Sequence, residues 1–556
     1  MTDKSKNDWA CVKSVEDVKV GESVAVMGTV RLTEGAIVYV PTPTADPQDP
    51  LNMPMWQKYV VITMISLTSS SDTHASWYSV STLGLSLVSG FGGLLGFYWA
   101  EYEAEGYGDV DMTALITYPT LFMGIGNLFG IPIAIAIGRR MVFLVSSAIL
   151  LIGAILCGTA RNYAWHLSAR CFMSLAAGQS EALVPMITQE IFFLHERGKG
   201  LMIQNAVQTI LAAVWVLFAS PISGAISPQG WYYLDAGLSG LQLVLSIFLV
   251  PETKYQQSIA AFQETTTVSK SNESHVTKAG ELKKDQEATH CSVRPPLDFE
   301  RFEPRTWKSD MRLWVGTPEW RLAFDTLRST FELLLFPNVL WAMCLNGLTL
   351  GANIAIGITY GGIVTSAPYN WPNSSASYVN TGQIIVALIA LPLLGQGSDK
   401  LIKWRANKNG GIHEPESRII SLVIPITVGT FTAVLYGQGA AHPEHYHWFI
   451  YCWALAAYFF AFVGANIVGM TYLLDSYPAR AGPVLVIICP FRGIIAFGVT
   501  YGISPFIEAA GYDGAFGAFG GLTAFFGLLG IPVYIWGKSI RRFTSRFARA
   551  KNDKVE

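Results

Sequence analysis

The chain has 556 residues, of which 51% are hydrophobic and 14% are charged, and its formal net charge is −2. A soluble protein of this length would form several domains with more surface charge, so the composition excludes a purely soluble fold. The near-zero net charge gives no reason to expect nucleic acid as a partner. Apolar residues form long blocks such as 141–158 and 381–396, close to the about 20 residues that one helix needs to cross a bilayer. The composition therefore predicts an all-α polytopic membrane protein.

The N-terminal segment, 1–58, lacks the early apolar core and cleavage site of a secretory signal, so we expect it to remain in the cytosol. The first apolar segment, 59–100, is about twice as long as one span and is interrupted by SSSDTHASW at 69–77. The alternation of basic loops further along the chain requires the chain to cross the membrane an odd number of times within this segment. We therefore predict one span with inserted residues. Asp72 and His74 could form a polar pair in the membrane, or belong to a loop or re-entrant piece.

Eleven further apolar segments follow, and they divide into two groups. Those before the central polar stretch are 114–137, 141–160, 166–190, 201–222 and 232–250, and those after it are 336–363, 378–396, 418–437, 447–472, 483–505 and 514–536. With the first segment they make two sets of six. We therefore predict two six-helix bundles, 59–250 and 336–536, with a ligand site between them near the midplane.

Lysine and arginine residues concentrate in alternate loops. They include Arg139 and Arg140 after the second span, four cations in 400–408, and the tail 537–556, whereas the opposite side begins with the acidic loop EYEAEGYGDVD. The positive-inside rule places the basic loops and both termini in the cytosol. The stretch 251–335 is rich in Ser, Thr, Glu and Lys, with weak helical patterning after 318, and is predicted to be a largely disordered cytosolic linker.

Motifs of enzymes and ATP-driven pumps are absent from the sequence. It has no GxxxxGK[ST] loop, no HExxH and no GxSxG, and its seven cysteines show neither a disulfide framework nor zinc spacing. His442, His445 and His447 could bind a metal, or be solvated residues of an outer loop. We expect no cofactor and no metal.

Three ionisable residues lie within the fourth apolar segment, where charge is costly and usually marks an ion or substrate path. Arg170 and Glu181 are separated by about 16 Å along a helix and lie within about 20° of the same face, whereas Glu190 is about 180° from Glu181. Arg170 and Glu181 can therefore line one cavity, while Glu190 pairs at the cytosolic mouth. Glu181 is the only acidic residue that we place near the midplane. Arg492 is the other deep charge, and it is either a counter-ion there or part of a structural ion pair.

Asparagines supply neutral hydrogen-bonding groups to the second bundle. Asn346 and Asn353 are seven residues apart on one face of the seventh span, with Tyr360 a further seven on, and Asn466 lies in the tenth. They could bind a ligand. They could equally join packed helices by hydrogen bonds.

Several stretches in order along the chain resemble one family. They are GTVRLTEGAIVYVPTPTADPQDPLNMPMWQKY (28–59), FFLHERGKG (192–200), PETKY (251–255), GQGSDKLIKWRANKNGGIHEPESR (395–418), TYLLDSYPARAG and FRGIIAFG. Together they resemble fungal members of the major facilitator superfamily. The most similar branch is the twelve-span drug:proton antiporter group, near the histidinol- and polyamine-permease-like proteins.

The resemblance implies a cytosolic gate formed by a loop motif between spans two and three. The chain keeps Gly126, Gly138, Arg139 and Arg140, but Ile135 and Ala136 stand where an acidic and a basic residue are usual. A second copy of the motif offers Gly395, Asp399 and Lys400. The two arginines could also be a plain topology signal. Arg170 resembles the family's span-four arginine, although the usual glycine spacing after it is not kept.

The function implied by the resemblance is secondary active transport by a monomer in the plasma membrane, with protons and a small molecule as partners. Export of a drug-like compound or secondary metabolite is the leading expectation. Uptake of an organic cation such as a polyamine is the alternative, because a carboxylate at Glu181 suits an amine. A receptor or sensor with the same fold is a third possibility.

Overall fold

The structure, a computed structural model, describes residues 30–31, 44–53, 58, 95–192, 214–255, 297–313, 317–408, 412–477 and 481–549. Most of the long first apolar segment, including its interruption at 69–77, lies outside these residues. Within the described ranges, seven helices are long and apolar enough to cross a membrane.

The helices in the N-terminal half are α1 (Leu95–Ala104), α2 (Asp109–Ile137), α3 (Arg139–Gly158), α4 (Tyr163–Ile191), α5 (Val214–Ala225) and α6 (Pro228–Leu249). Four of them, α2, α3, α4 and α6, match predicted spans closely, whereas α1 and α5 overlap only the ends of the first and fifth predicted segments. Side chains define two of the starts: Asn162 accepts a hydrogen bond from the main-chain N–H of Trp165, and Ser227 accepts one from that of Gly230. Such caps satisfy amides that have no partner within the helix.

Helices of the C-terminal half follow the same pattern. They are α8 (Pro337–Thr365), α9 (Thr381–Lys408), α10 (Val423–Ala441), α11 (Phe449–Ser476), α12 (Ala481–Tyr501) and α13 (Ile503–Leu528), followed by an amphipathic helix α14 (Gly530–Arg549). Pro337 begins α8 at a position where a missing N–H costs nothing. A kink at Gly511, where φ is +71°, divides α13.

The predicted linker is folded at both ends. Residues 251–255 contact the start of α3, and a helix, α7 (Trp320–Leu333), lies immediately before α8. A two-residue antiparallel ladder joins β1 (Val30–Arg31) to β2 (Ile412–His413). Residues 256–296 lie outside the described part of the chain.

Glycines allow close contact between helices at the centre. A Cβ on Gly124 of α2 would lie 2.8 Å from the carbonyl oxygen of Pro490 on α12, and one on Gly493 would lie 3.2 Å from the Gly124 Cα. The two halves therefore meet backbone to backbone at α2 and α12. Gly126, expected in the gate motif, instead lies against the Leu175 carbonyl of α4, where a side chain would collide.

Candidate functional site

A polar cluster joins three helices of the C-terminal half near their centres. The Asn346 amide of α8 donates to Oδ1 of Asn466 on α11 at 3.1 Å, and Nη1 of Arg492 on α12 donates to the same oxygen at 2.9 Å. All three lie in otherwise apolar helices, and Oδ1 of Asn346 is buried without a hydrogen-bond partner. Sequence analysis named these residues separately, and the structure brings them together. A buried oxygen with no partner can accept a hydrogen bond from a ligand at little desolvation cost.

Asn353 does not join this cluster by any hydrogen bond among the described residues. Its Oδ1 is buried and has no hydrogen-bond partner. It lies two turns further along α8, on the same face as Asn346. A polar stripe therefore extends along α8 beyond the cluster.

Arg170 of α4 is fully buried inside the N-terminal half. Its Nε donates to the Leu115 carbonyl of α2 at 2.8 Å, and its Nη1 donates to the Tyr232 hydroxyl of α6 at 2.8 Å. The side chain has no accessible surface. Arg170 is thus held by neutral oxygens of two neighbouring helices. The side chain of Glu181 lies outside the described residues, so the expectation that the two line one cavity stays a prediction.

A histidine that sequence analysis did not select extends this network. Nε2 of His166 lies 2.9 Å from the Tyr232 hydroxyl, and Nδ1 lies 2.9 Å from the Tyr102 hydroxyl of α1. Arg170 donates to the Tyr232 oxygen, and the Tyr232 hydroxyl can also hydrogen-bond to Nε2 of His166. The tautomer of His166 sets which nitrogen donates and which accepts. The network connects α1, α2, α4 and α6.

Asp235 of α6 is a buried acidic residue within a span that sequence analysis did not select, and the expectation that Glu181 is the only one near the midplane stays a prediction. Asp235 lies one turn after Tyr232 and has no accessible surface. Its Oδ2 accepts a hydrogen bond from Ser239 at 3.3 Å, whereas Oδ1 has no hydrogen-bond partner. A carboxyl group buried with so few hydrogen bonds is costly in its charged form. A single polar residue in an apolar run carries no periodic signal, which is why sequence analysis missed it.

Arg139 and Glu190 form an ion pair where α2 ends and α3 begins, an end of the molecule that we call the basic side. Nη2 of Arg139 lies 2.6 Å from Oε1 of Glu190, and its Nε donates to the same oxygen at 3.0 Å. The Thr253 hydroxyl donates to the other oxygen at 2.9 Å. The expected pairing of Glu190 at this mouth is present in the geometry.

On the same side, Glu252 caps the start of α3 and Arg140 caps the end of α6. The Glu252 carboxylate accepts the main-chain N–H groups of Arg139 and Arg140 at the start of α3, at 3.0 and 3.2 Å. In return, Arg140 donates to the carbonyls of Ile247 and Val250 at the end of α6, at 2.7 and 2.8 Å. Each charge faces the helix end that its sign favours. These buried contacts go beyond a plain topology signal for Arg140.

Gly138 makes the capping by Glu252 possible. Its φ is +143°, and a Cβ there would collide with the Glu252 carboxylate. Ala136, which replaces a usual charged residue, contributes through its backbone: its carbonyl accepts a hydrogen bond from Nζ of Lys254 at 2.8 Å. Glu252 and Lys254 of the PETKY segment therefore supply an acidic and a basic side chain at this loop, where the motif itself has Ile135 and Ala136.

A corresponding arrangement in the C-terminal half uses other residues than those expected. Arg418 pairs with Asp475 at 2.6 Å, and Arg541 of α14 makes a two-pronged pair with Glu416 at 2.7 and 2.8 Å. Lys400 is exposed, and the side chain of Asp399 lies outside the described residues. The HEPESR segment and α14 carry these ion pairs, and the gate role expected of Gly395, Asp399 and Lys400 stays a prediction.

These ion pairs join helices within one half rather than across the two halves. Arg139–Glu190 lies in the N-terminal half, and Arg418–Asp475 and Arg541–Glu416 lie in the C-terminal half. Their partners are acidic residues of the same bundle, so each set stiffens its own bundle. The expectation that they lock the basic side closed stays a prediction.

Contacts between the halves also occur on the side opposite the basic side. The Ser377 hydroxyl donates to the Leu217 carbonyl of α5 at 2.8 Å. Tyr118 of α2 packs against Phe497 and Tyr501 of α12, with ring centroids 5.7 and 6.4 Å apart. The halves are therefore in contact at this side in the structure.

Comparison with known proteins gives the family. The model of the Major Facilitator Superfamily matches residues 82–485. An uncharacterized MFS-type transporter of Schizosaccharomyces pombe is 25% identical and covers 95% of this chain and 92% of its own length. Protein HOL1 of Saccharomyces cerevisiae is 23% identical over 93% of this chain and 92% of its own length.

A solved structure agrees with this fold. The proton:xylose symporter XylE superposes with a TM-score of 0.54 and 14% identity, covering 86% of this chain and 95% of its own. This likeness confirms the predicted fold of two six-helix bundles. The chain belongs to the major facilitator superfamily, a family of transporters, and is a multi-pass membrane protein.

Proposed function

We propose that the protein is a proton-coupled secondary active transporter that exports a small organic compound, either drug-like or a secondary metabolite. The observation that carries the proposal is the hydrogen-bonded cluster of Asn346, Asn466 and Arg492 within apolar helices. Burying three polar groups there is costly unless they serve a ligand or join helices. The partnerless Oδ1 of Asn346 favours the ligand, because a purely structural network would satisfy it.

Proton coupling rests on carboxyl groups in the N-terminal half. Glu181 lies in α4, 11 residues from Arg170, and Asp235 lies in α6 with one oxygen lacking a hydrogen-bond partner. A carboxyl group that gains and loses a proton inside a low-dielectric bundle changes the local charge by one unit. Gain or loss of the proton therefore changes the free-energy difference between the conformations that open to opposite sides of the membrane.

Alternating access follows from two stiff bundles that rock about their contact. The capping of α3 and α6 by Glu252 and Arg140, and the Arg541–Glu416 pair, support movement of each bundle as a body. The glycine contact of α2 with α12 is a suitable pivot, because it lies at the centre and lacks side-chain interlocking. We assign the basic side to the cytosol, in a monomer of the plasma membrane.

Uptake of an organic cation such as a polyamine is the second candidate. The acidic Glu181 in α4 favours it, because an ionised carboxylate binds an amine directly. A receptor that does not transport is a third. It would change the binding of a partner to the basic tail without changing the amount of any compound inside a vesicle.

Transport by purified protein in proteoliposomes tests the proposal. A pH gradient is imposed, and a panel of amines and hydrophobic compounds is screened for movement driven by the gradient. Asn466→Ala should abolish transport of the compound found, because it removes the acceptor shared by Asn346 and Arg492. Asn373→Ala, at an exposed asparagine outside the cluster, is the matched control and should transport normally. Equal transport by both variants would contradict a ligand role for the cluster.

A further inference from the structure

Helix α7 presents three different surfaces. At 3.6 residues per turn, Trp320, Phe324, Leu327 and Phe331 lie within about 60° of one another. Four charged residues occupy a second sector of similar width: Arg321, Asp325, Arg328 and Glu332. Small side chains and Leu333 occupy a third. A helix with only one apolar face would need one partner, whereas this pattern indicates two different partners besides water.

The third sector packs on the protein. Ala323, Thr326, Thr330 and Leu333 are buried, and α7 contacts both α2 of the N-terminal half and α12 of the C-terminal half. The hydroxyls of Thr326 and Thr330 donate to carbonyls of α7 itself, at 2.7 and 2.9 Å. The neighbouring helices therefore contact the methyl groups of these two threonines. The helix lies across the junction of the two halves without needing side-chain hydrogen bonds to either.

The aromatic sector is exposed. Trp320 is 57% accessible, Phe324 is 68% and Phe331 is 50%, and Leu335, just beyond the helix, is 83% accessible. Three large aromatic side chains on one short helix form a contiguous apolar surface of the kind that marks an interaction site.

The position of α7, next to a membrane-spanning helix, indicates which partner its aromatic sector contacts. Only residues 334–336 separate it from α8, which is long and apolar enough to span a membrane, so α7 ends within about 10 Å of the start of that span. Leu340, in the first turn of α8, is 46% accessible and continues the exposed apolar surface into the span. The aromatic surface of α7 thus lies close in the chain to exposed apolar residues at the start of that span.

We propose that α7 is an interfacial helix whose aromatic sector lies in the lipid leaflet of the basic side. Its charged sector faces water, where Arg328 and Glu332 approach to 3.5 Å. Its two arginines and two acidic residues cancel, so burial of aromatic surface drives the insertion rather than attraction to anionic headgroups. The helix is thereby anchored at once to the bilayer, to α2 and to α12, at the junction that opens when the basic side opens.

Photo-crosslinking from single positions tests this proposal and does not depend on any transported compound. Benzoylphenylalanine is placed at 324 or 331 in the full-length protein, and in matched variants at 325 or 328, all at exposed positions. The proteins are reconstituted into phosphatidylcholine vesicles, irradiated and examined by mass spectrometry for lipid adducts. We expect several-fold more adduct from 324 and 331 than from 325 and 328, with equal yields when phosphatidylserine is included.

Three results would overturn the proposal. Equal lipid adduct from the two sectors would show that α7 does not lie with its aromatic sector in the bilayer. Crosslinks from 324 and 331 to other parts of the same chain would show that the protein covers them. Adduct formation only with phosphatidylserine would show that charge, rather than apolar burial, holds the helix at the membrane.

Discussion

Arg140 and Glu252 hold the ends of two helices from opposite directions. The carboxylate of Glu252 accepts the first N–H groups of α3, and the guanidinium of Arg140 donates to the last carbonyls of α6. The resulting clasp joins α3 to α6. Because both residues are buried, its removal leaves helix ends without these hydrogen bonds.

Gly138→Ala should therefore destabilise the protein. The substitution requires a side chain at φ of +143° and a collision with Glu252, which together should cost about 1–3 kcal/mol. The midpoint of thermal unfolding in detergent measures the effect. Gly237→Ala is the matched control, because a Cβ at Gly237 meets nothing within 4 Å. Equal midpoints for the two variants would contradict the clasp.

Glu416→Gln should destabilise the protein more than Glu414→Gln. Glu416 is paired with fully buried Arg541, and breaking a buried pair leaves an uncompensated charge, at a cost of about 3–5 kcal/mol. Glu414 pairs with Lys538 in solvent, where a pair contributes at most about 1 kcal/mol. Unfolding midpoints of the two variants compare these costs directly. A larger loss at Glu414 would refute the assignment of the buried pair as the anchor of α14.

Tyr232→Phe should disturb the network around Arg170. The hydroxyl accepts from Arg170 and contacts His166, so its removal leaves two buried groups short of a partner, at about 1–3 kcal/mol for each. Tyr233→Phe is the control, because that neighbouring ring is 49% exposed. Unfolding midpoints and transport rates should fall for Tyr232→Phe alone. Unchanged values for both variants would show that the network contributes nothing to either property.

Splitting the chain within the polar linker should leave two halves that still assemble. Arg140 donates to the Met311 carbonyl at 2.6 Å, so residues near 311, in the C-terminal part of the linker, pack on the N-terminal half. We expect halves divided between 256 and 296 to co-purify. Halves divided between 313 and 317 should co-purify as well, and the Met311 contact then lies within the N-terminal fragment. Failure of the halves divided between 256 and 296 to associate would count against the organisation of the chain as two bundles.

The positions of the helices could be predicted from the sequence because each span is a long apolar run. The ion pair of Arg139 with Glu190 could also be expected, since both charges lie at span ends on the same side. Glu252, His166 and Asp235 could not be assigned in this way. The partners of Glu252 and His166 are backbone groups or hydroxyls on other helices, which no spacing in the sequence reports, and Asp235 bonds only to Ser239 of its own helix among the described residues.

The folded ends of the linker show a second limit. Composition predicts disorder for 251–335 because the stretch is polar on average. The individual contacts of Lys254 with Ala136, and of α7 with α2 and α12, are specific and long-range. Average polarity does not report such contacts, so short folded segments were hidden within a stretch that is polar overall.

Proton movement during transport tests the central claim most directly. Vesicles containing the protein are loaded with a transported compound, and internal pH is followed with a dye while the membrane potential is varied. Export by exchange predicts proton movement opposite to the compound, and its loss in Glu181→Gln but not in Glu105→Gln, an exposed loop control. Accumulation driven by membrane potential without opposed proton movement would contradict the account and favour uptake of a cation.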